Sequence, residues 1–258
     1  MKAEGAGKAQ ARFRRVARPV VRQLWDFTLE GFERLPAEGP AILAPNHISF
    51  LDSAFLMLNV PRNISFVGKA EYMDSWKTKY LFPMLGMIPI DRAGGKASMA
   101  ALNTAEAVLR RGEFFGIFPE GTRSRDGYLY KGRTGAARLA LRVGCPIFPV
   151  GVTGTADIQP PDAKFPKLRQ PCAIRIGRPI QMARYADRQN DRLVLRQITD
   201  ELMFEIRELT GQEYRNEYAG KPADAEPVEV VEPAKVGTVS DPEPIDLAPA
   251  AAAAAVGE

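Results

Sequence analysis

Histidine is nearly absent from this chain: His47 is the only one in 258 residues. Chemistry that needs two imidazoles within one chain is therefore excluded. Cysteine is scarce as well, with Cys145 and Cys172 alone. No Cys-x-x-Cys pair or Cys/His cluster exists, which excludes a cysteine zinc site and haem attachment. The low cysteine count fits a reducing, cytoplasmic compartment. No stretch meets the criterion of about 18 apolar residues for a spanning helix. The nearest, Gly39–Pro61, has Asp52 as its sole formal charge but carries Pro45, Asn46 and His47 in its middle. It reads as a strand, a polar turn and a short helix. The basic start has no signal-peptide core after it, because Arg18 and Arg22 interrupt the apolar residues. Residues 219–258 contain no aromatic side chain at all.

What is present fits one globular domain with a tail: 45% of residues are hydrophobic and 26% charged. The formal net charge is +4, unevenly spread. Residues 219–258 hold 8 acidic and 2 basic residues, a local −6, which leaves +10 on residues 1–218. A basic body calls for anionic partners: phospholipid headgroups, phosphorylated substrates or nucleic acid. No helix-turn-helix or aromatic RNA-binding motif supports the last.

Three regions follow from patterning. Residues 1–30 read as a basic amphipathic segment for a membrane interface. Seven basic residues lie within residues 1–23, interleaved with Phe13, Val16, Val20 and Val21; a solvated start followed by a core-packing helix is the plainer alternative. Residues 31–218 alternate in type. Strands are expected at Ala41–Ala44, Ile64–Val67, Met87–Ile90, Phe114–Phe118, Ile147–Val152 and Ala173–Ile176. Helices are expected at Ser49–Asn59, Lys96–Arg111, Gly135–Val143 and Asp191–Leu209. Met99, Leu102, Ala105 and Leu109 would share a face of the second of these, and Leu195, Ile198, Leu202, Ile206 and Leu209 a face of the last. The fold class is α/β, a mixed, largely parallel sheet flanked by helices. Residues 219–258, with 6 prolines and the run Ala250–Ala255, form a disordered acidic tail.

Two polar clusters sit where strands give way to turns. His47 lies in Asn46-His47-Ile48-Ser49-Phe50-Leu51-Asp52. With Ser49 capping the helix, Asp52 falls about one turn in, and its carboxylate can fold back on the ring. An Asp on Nδ1–H fixes the tautomer and leaves Nε2 free as a base. No serine or cysteine nucleophile accompanies the pair, so it suits activation of an external hydroxyl. The second cluster is Phe118-Pro119-Glu120-Gly121-Thr122-Arg123-Ser124. Gly121 permits a tight turn, the Thr122 and Ser124 hydroxyls could face an anion, and Arg123 could grip a phosphate with two prongs. Two basic loops join it: Asp91-Arg92, and Lys131-Gly132-Arg133-Thr134-Gly135. Each alone is also what an ordinary polar turn looks like; together they resemble a phosphate site.

These blocks resemble the lysophospholipid acyltransferase family, in particular bacterial 1-acyl-sn-glycerol-3-phosphate acyltransferases. NHISFLD at 46–52 matches the family's N-H-x-S-x-x-D block, and FPEGTRS at 118–124 matches its F-P-E-G-T-R-S block. GMIPIDR at 86–92 is similar to the G-x-x-x-x-D-R block, with Pro89 where an aromatic is common, and Pro146–Val150 is similar to the final apolar proline block. Tyr130-Lys131-Gly132-Arg133 stands where many relatives carry F-K-x-G, which leaves open whether Lys131 or Arg133 meets phosphate.

The resemblance implies a single acyltransferase-like domain in which His47 and Asp52 are catalytic. Arg92, Glu120, Gly121, Thr122, Arg123, Lys131 and Arg133 would bind substrate, with Arg92 and Arg123 on phosphate and Glu120 orienting an arginine or a substrate hydroxyl. The acyl group would pass from acyl-CoA or acyl-ACP to the sn-2 hydroxyl of lysophosphatidate, giving phosphatidic acid. No metal or prosthetic group is implied. Glycerol-3-phosphate, another lysophospholipid or an acylated amino-acid lipid remain alternative acceptors, and a non-catalytic anionic-lipid-binding protein is the alternative of another class. The expected partners are the two substrates, an anionic membrane surface, and an acyl carrier protein if acyl-ACP is the donor. The expected location is peripheral, at the cytoplasmic face of the plasma membrane, held by the basic N-terminal segment because the spanning helix of some relatives is missing.

Overall fold

The computed structural model describes residues 7–69, 86–90, 95–160, 163, 165–188 and 191–220. Contacts divide the chain into Met1–Lys221 and Pro222–Glu258. The second unit, which is nearly all of the expected tail, lies outside the described residues, and so does Arg92.

In chain order the elements are α1 (Gly7–Leu24), β1 (Asp26–Glu30), β2 (Ala41–Pro45), α2 (Leu51–Asn59), β3 (Ile64–Lys69), β4 (Met87–Ile90), α3 (Gly95–Arg110), β5 (Phe114–Gly116), β6 (Leu129–Tyr130), α4 (Gly135–Val143), β7 (Ile147–Thr153), α5 (Thr155–Ile158), β8 (Pro171–Ile176), α6 (Arg192–Thr210) and β9 (Tyr214–Arg215). Seven strands form one sheet in the order β1-β8-β7-β2-β5-β3-β4, and β6 pairs with β9 apart from it. The run β7-β2-β5-β3-β4 is parallel throughout. β8 runs antiparallel to β7 and β1 parallel to β8. The sheet is thus mixed and largely parallel, as the alternating pattern predicts.

Strand alternation feeds two cores. In β2, Ile42 and Ala44 join Ala105, Leu109, Leu139, Ile198 and Leu202 from the helices of one face, while Ala41 and Leu43 join Phe55, Leu56, Ile64 and Phe66 on the other. Helix ends follow their local chemistry. The Asp191 side chain caps α6 by accepting the Leu193 and Val194 N–H groups, and Gly211 at φ 72° ends it. In α3 the expected face is only partly right: Ala105 and Leu109 are buried with Val108, whereas Met99 is 45% exposed.

The N-terminal expectation needs correction. α1 does form, but Phe13, Ala17, Val21 and Leu24 pack against the core that contains α2, and Gln10 exchanges two hydrogen bonds with the backbone of Ile64. One apolar stripe is therefore spent inside the protein, while Val16 and Val20, 71% and 54% exposed, face outward. Asp26–Glu30, placed by sequence in the interface segment, is an edge strand of the sheet, so the domain does not begin at residue 31. Ala219 is buried at the other end, so the tail starts later than expected too. β5 stops at Gly116, two residues short of the expected strand, and the chain there turns to place Phe118 against His47.

Candidate active site

β2, β5 and β7 are neighbours and parallel, so the loops that leave their carboxyl ends open on one edge, where α/β sheets build their sites. The loop after β2 carries His47, the loop after β5 carries Phe118–Ser124, and Gly154-Thr155 follows β7. Asn46 ties two of these ends together: its Nδ2 donates to Val152 O at 2.9 Å and its Oδ1 accepts Val152 N–H at 2.8 Å.

His47 Nδ1 lies 2.9 Å from Asp52 Oδ2. That oxygen also accepts the N–H groups of Ile48 and Ser49, each at 2.8 Å. The other oxygen, Oδ1, accepts the Thr155 hydroxyl at 2.6 Å. Asp52 is fully buried. A carboxylate acceptor places the proton on Nδ1 and leaves the Nε2 lone pair outward. The ring retains 19% side-chain exposure and stacks on Phe118, with centroids 3.8 Å apart at 19°. Phe66 stacks behind Phe118, in space that exists because Gly116 has no Cβ to overlap the Phe66 ring. Ser49 is not the helix cap: Phe50 holds that position, and the Ser49 hydroxyl accepts Leu51 N–H at 3.4 Å.

The Phe118–Ser124 loop grips His47 from both sides of its peptide. Ser124 N–H donates to His47 O at 2.8 Å, and His47 N–H donates to Glu120 Oε1 at 2.9 Å. Glu120 Oε2 accepts Tyr130 N–H at 3.0 Å. Glu120 is expected to orient an arginine or a substrate hydroxyl; among the described residues its fully buried carboxylate instead accepts from two backbone N–H groups. The Ser124 hydroxyl is likewise engaged, donating to Asp126 at 3.0 Å.

Burial pushes the Glu120 carboxyl up to about 7, against the pull of those two N–H donors. A carboxyl raised in this way binds a proton in the folded state that it releases in the unfolded chain. Its contribution is complete below the ordinary value of 4.5 and is lost as pH rises towards about 7. The thermal midpoint of the wild type should therefore fall more steeply between these pH values than that of Glu120→Gln. Parallel melting curves for the two proteins across this range would show an ordinary carboxylate.

Gly121, at φ 80°, has the Arg133 side chain against it: a Cβ there would come within 2.9 Å of Arg133 Nε. Arg133 and Lys131 both reach over the Tyr218 ring, at 5.0 and 5.8 Å. Arg123 and Thr122 are half-buried. None of Arg123, Lys131 and Arg133 is paired with a carboxylate among the described residues. The structure thus brings Arg133 against the loop that carries Arg123 and holds His47, with Lys131 two positions before it. The fourth expected basic residue, Arg92, lies outside the described residues, although β4 ends just before it and runs parallel with β3.

Sequence reasoning missed Thr155 and Asn46 as supports of the pair. A Gly-Thr following an apolar strand was the available signal for the first. It also missed Gln212, whose Oε1 accepts from Asn46 Nδ2 at 2.8 Å from the far end of α6. The cysteines take no part: both are buried, and burial pushes each thiol up to about 12. Replacing both by alanine should leave turnover within about threefold, and intact-mass measurement after incubation with the acyl donor should find no acyl thioester on either.

Residues 26–153 match the Acyltransferase family model. The chain is 31% identical over 137 residues to the chloroplastic 1-acyl-sn-glycerol-3-phosphate acyltransferase LPAT1 of Arabidopsis thaliana, covering 53% of this chain and 38% of that one. It is 37% identical over 123 residues to a 1-acyl-sn-glycerol-3-phosphate acyltransferase of Limnanthes douglasii, covering 45% and 41%. With the enzyme of that name from Borreliella burgdorferi it shares 29% identity over 125 residues, 48% and 50% of the two chains. The chain therefore spans half or less of the length of these relatives. The crystal structure of the 1-acyl-sn-glycerophosphate (LPA) acyltransferase PlsC from Thermotoga maritima superposes with a TM-score of 0.61 over 79% of each chain, at 24% identity, a likeness of fold. In its motif blocks and over the matched segment, residues 26–153, the chain is similar to the Acyltransferase family.

Proposed function

We propose that the protein transfers a fatty acyl group from a thioester, acyl-CoA or acyl-ACP, to the sn-2 hydroxyl of lysophosphatidate, forming phosphatidic acid. The observation that carries this reading is the His47–Asp52 pair at 2.9 Å, with Nε2 directed away from it and Arg123, unpaired with any carboxylate among the described residues, on the adjoining loop. Nε2 of His47 takes the proton of the acceptor hydroxyl. The oxygen attacks the thioester carbonyl, the tetrahedral intermediate collapses, and the thiolate leaves. The proton held on Nε2 is then available to the departing sulfur. Positioned base catalysis supplies about 10²- to 10⁴-fold; alignment of the two substrates and stabilisation of the oxyanion supply the rest. The reaction as written needs no metal or prosthetic group.

Arg123 is assigned to the acceptor phosphate, with Arg92 as its partner and with Lys131 or Arg133 completing the site. Thr122 and Gly121 shape the turn that presents Arg123, and Glu120 holds the loop to His47. Arg123→Ala should raise KM for lysophosphatidate about 10- to 150-fold, the loss of one charge-assisted phosphate contact, and change KM for the donor little. Arg123→Lys should recover part of it, because the ammonium lacks the fork. Equal effects on both substrates would assign Arg123 to the fold.

Lysophosphatidate resides in a bilayer, so the reading includes an anionic membrane surface as a partner and a peripheral position at the cytoplasmic face of the plasma membrane. Among the described residues no helix is long and apolar enough to cross a membrane. Thioester-release assays with lysophosphatidate, glycerol-3-phosphate and other lysophospholipids test the acceptor. The reading expects lysophosphatidate to have the highest kcat/KM; a higher value for another acceptor would replace it, and release with none would remove the transferase reading.

A further inference from the structure

α1 carries Arg14, Arg18 and Arg22 at four-residue spacing, on one flank of the helix. The outer two are satisfied by neutral acceptors. Arg14 donates to the carbonyls of Arg62 and Pro61, and Arg22 to Asn59 Oδ1. Among the described residues Arg18 between them has neither a carboxylate nor a hydrogen-bond acceptor, and its Nε is buried without a partner. A buried N–H without a protein acceptor is rare in folded proteins and is open to a water, an ion or a ligand.

Arg18 lines a cavity of about 350 Å³ whose other walls are Leu29, Phe32, Glu33, Asn59 and Pro61. The wall opposite the guanidinium is mostly apolar. Glu33 is the one acid in it, and it is largely exposed and turned to Arg34. The site is separate from the catalytic edge: α2 begins beside His47 and runs away from it, and Asn59 is its last residue.

We infer that this cavity seats the anionic headgroup phosphate of a membrane phospholipid, with Arg18 as the contact and Leu29, Phe32 and Pro61 against its apolar part. The charge complementarity is direct, since three guanidinium groups lie together with no carboxylate paired to any of them. Burial, and after it repulsion from Arg22, hold the Arg18 guanidinium below its usual pKa, and a bound anion opposes that shift. An apolar wall beside an unpaired cation fits an amphiphile better than a free inorganic anion. The inference rests on the membrane partner in the proposed function and specifies where contact is made.

The test is cosedimentation of the full chain with phosphatidylcholine vesicles, with and without phosphatidylglycerol, for the wild type, Arg18→Gln and Arg15→Gln. Arg15 is exposed on α1 and makes the same charge change. One basic residue near an anionic surface is worth about fivefold in affinity. Arg15→Gln should cost no more than that, and Arg18→Gln at least threefold more than Arg15→Gln. Glu33→Gln should bind more tightly than the wild type. Turnover on detergent-dispersed acceptor should be unchanged in all three variants, which checks the fold. Equal losses for Arg18 and Arg15 would reduce the contact to diffuse attraction and overturn the seat while leaving membrane association standing. Absence of wild-type binding to anionic vesicles would overturn both. Thermal stabilisation by inorganic phosphate that Arg18→Gln abolishes, with vesicle binding equal in wild type and Arg18→Gln, would assign the cavity to a free phosphate and overturn the lipid assignment.

Discussion

His47→Ala is expected to lower turnover by about 10³- to 10⁴-fold, the upper part of what a positioned general base contributes, with the fold unchanged. The size of the loss follows from the surroundings. No second histidine exists in the chain. The two nearby carboxylates cannot substitute, because Asp52 is buried and takes four donors, and Glu120 is turned to the N–H groups of His47 and Tyr130. The retained fold follows from how the loop is held. Its anchors at His47 are the backbone N–H to Glu120 and the backbone O from Ser124, and alanine keeps both. Far-ultraviolet dichroism and the thermal midpoint check the second half of the expectation, and thioester release checks the first. A variant that keeps near wild-type turnover would remove His47 from the mechanism.

Asp52→Asn should cost a comparable factor; replacing the corresponding Asp in a serine-protease triad lowers kcat by about 10⁴. The amide cannot accept Nδ1–H with the same strength, and it favours the tautomer whose proton sits on Nε2, where the base is needed. Asp52 also binds the Ile48 and Ser49 N–H groups, so this variant should melt earlier as well. Thr155→Val separates the two effects. It removes only the bond to Oδ1 and leaves His47, Ile48 and Ser49 in place. Its kcat should fall about tenfold, equivalent to roughly 1.4 kcal/mol, with both KM values nearly unchanged. A change in KM alone would make Thr155 a packing residue without influence on the pair.

The legible parts of this fold are those written in local pattern. α4 spans Gly135–Val143 as its alanine- and leucine-rich run and terminal glycine predict. β4 spans Met87–Ile90 as expected. The His47–Asp52 contact was readable because both residues lie on one short segment, five positions apart. β1 was not readable. Asp26–Glu30 is an edge strand whose residues alternate between exposed and half-buried, and only Trp25 separates it from the preceding helix. β6 and β9, each of two residues, are too short to show a period. The role of Glu120 was hidden for a different reason. A glutamate beside an arginine in sequence suggests an ion pair, whereas its partners are backbone N–H groups, one of them 73 positions away. Thr155 reaches Asp52, and Gln212 reaches Asn46, only because the topology places β7 beside β2 and ends α6 nearby. Such long-range supports leave no periodic trace.

The central claim is that His47 and Asp52 activate the hydroxyl of an external acceptor directly, without an acyl-enzyme. Single-turnover thiol release, followed with and without lysophosphatidate and combined with intact-protein mass at each time point, tests it most directly. The account predicts that thiol release depends on the acceptor, that one phosphatidate forms for each thiol freed, and that the protein mass stays unmodified throughout. A burst of thiol in the absence of acceptor, accompanied by an acyl adduct on the protein that lysophosphatidate then discharges, would contradict it.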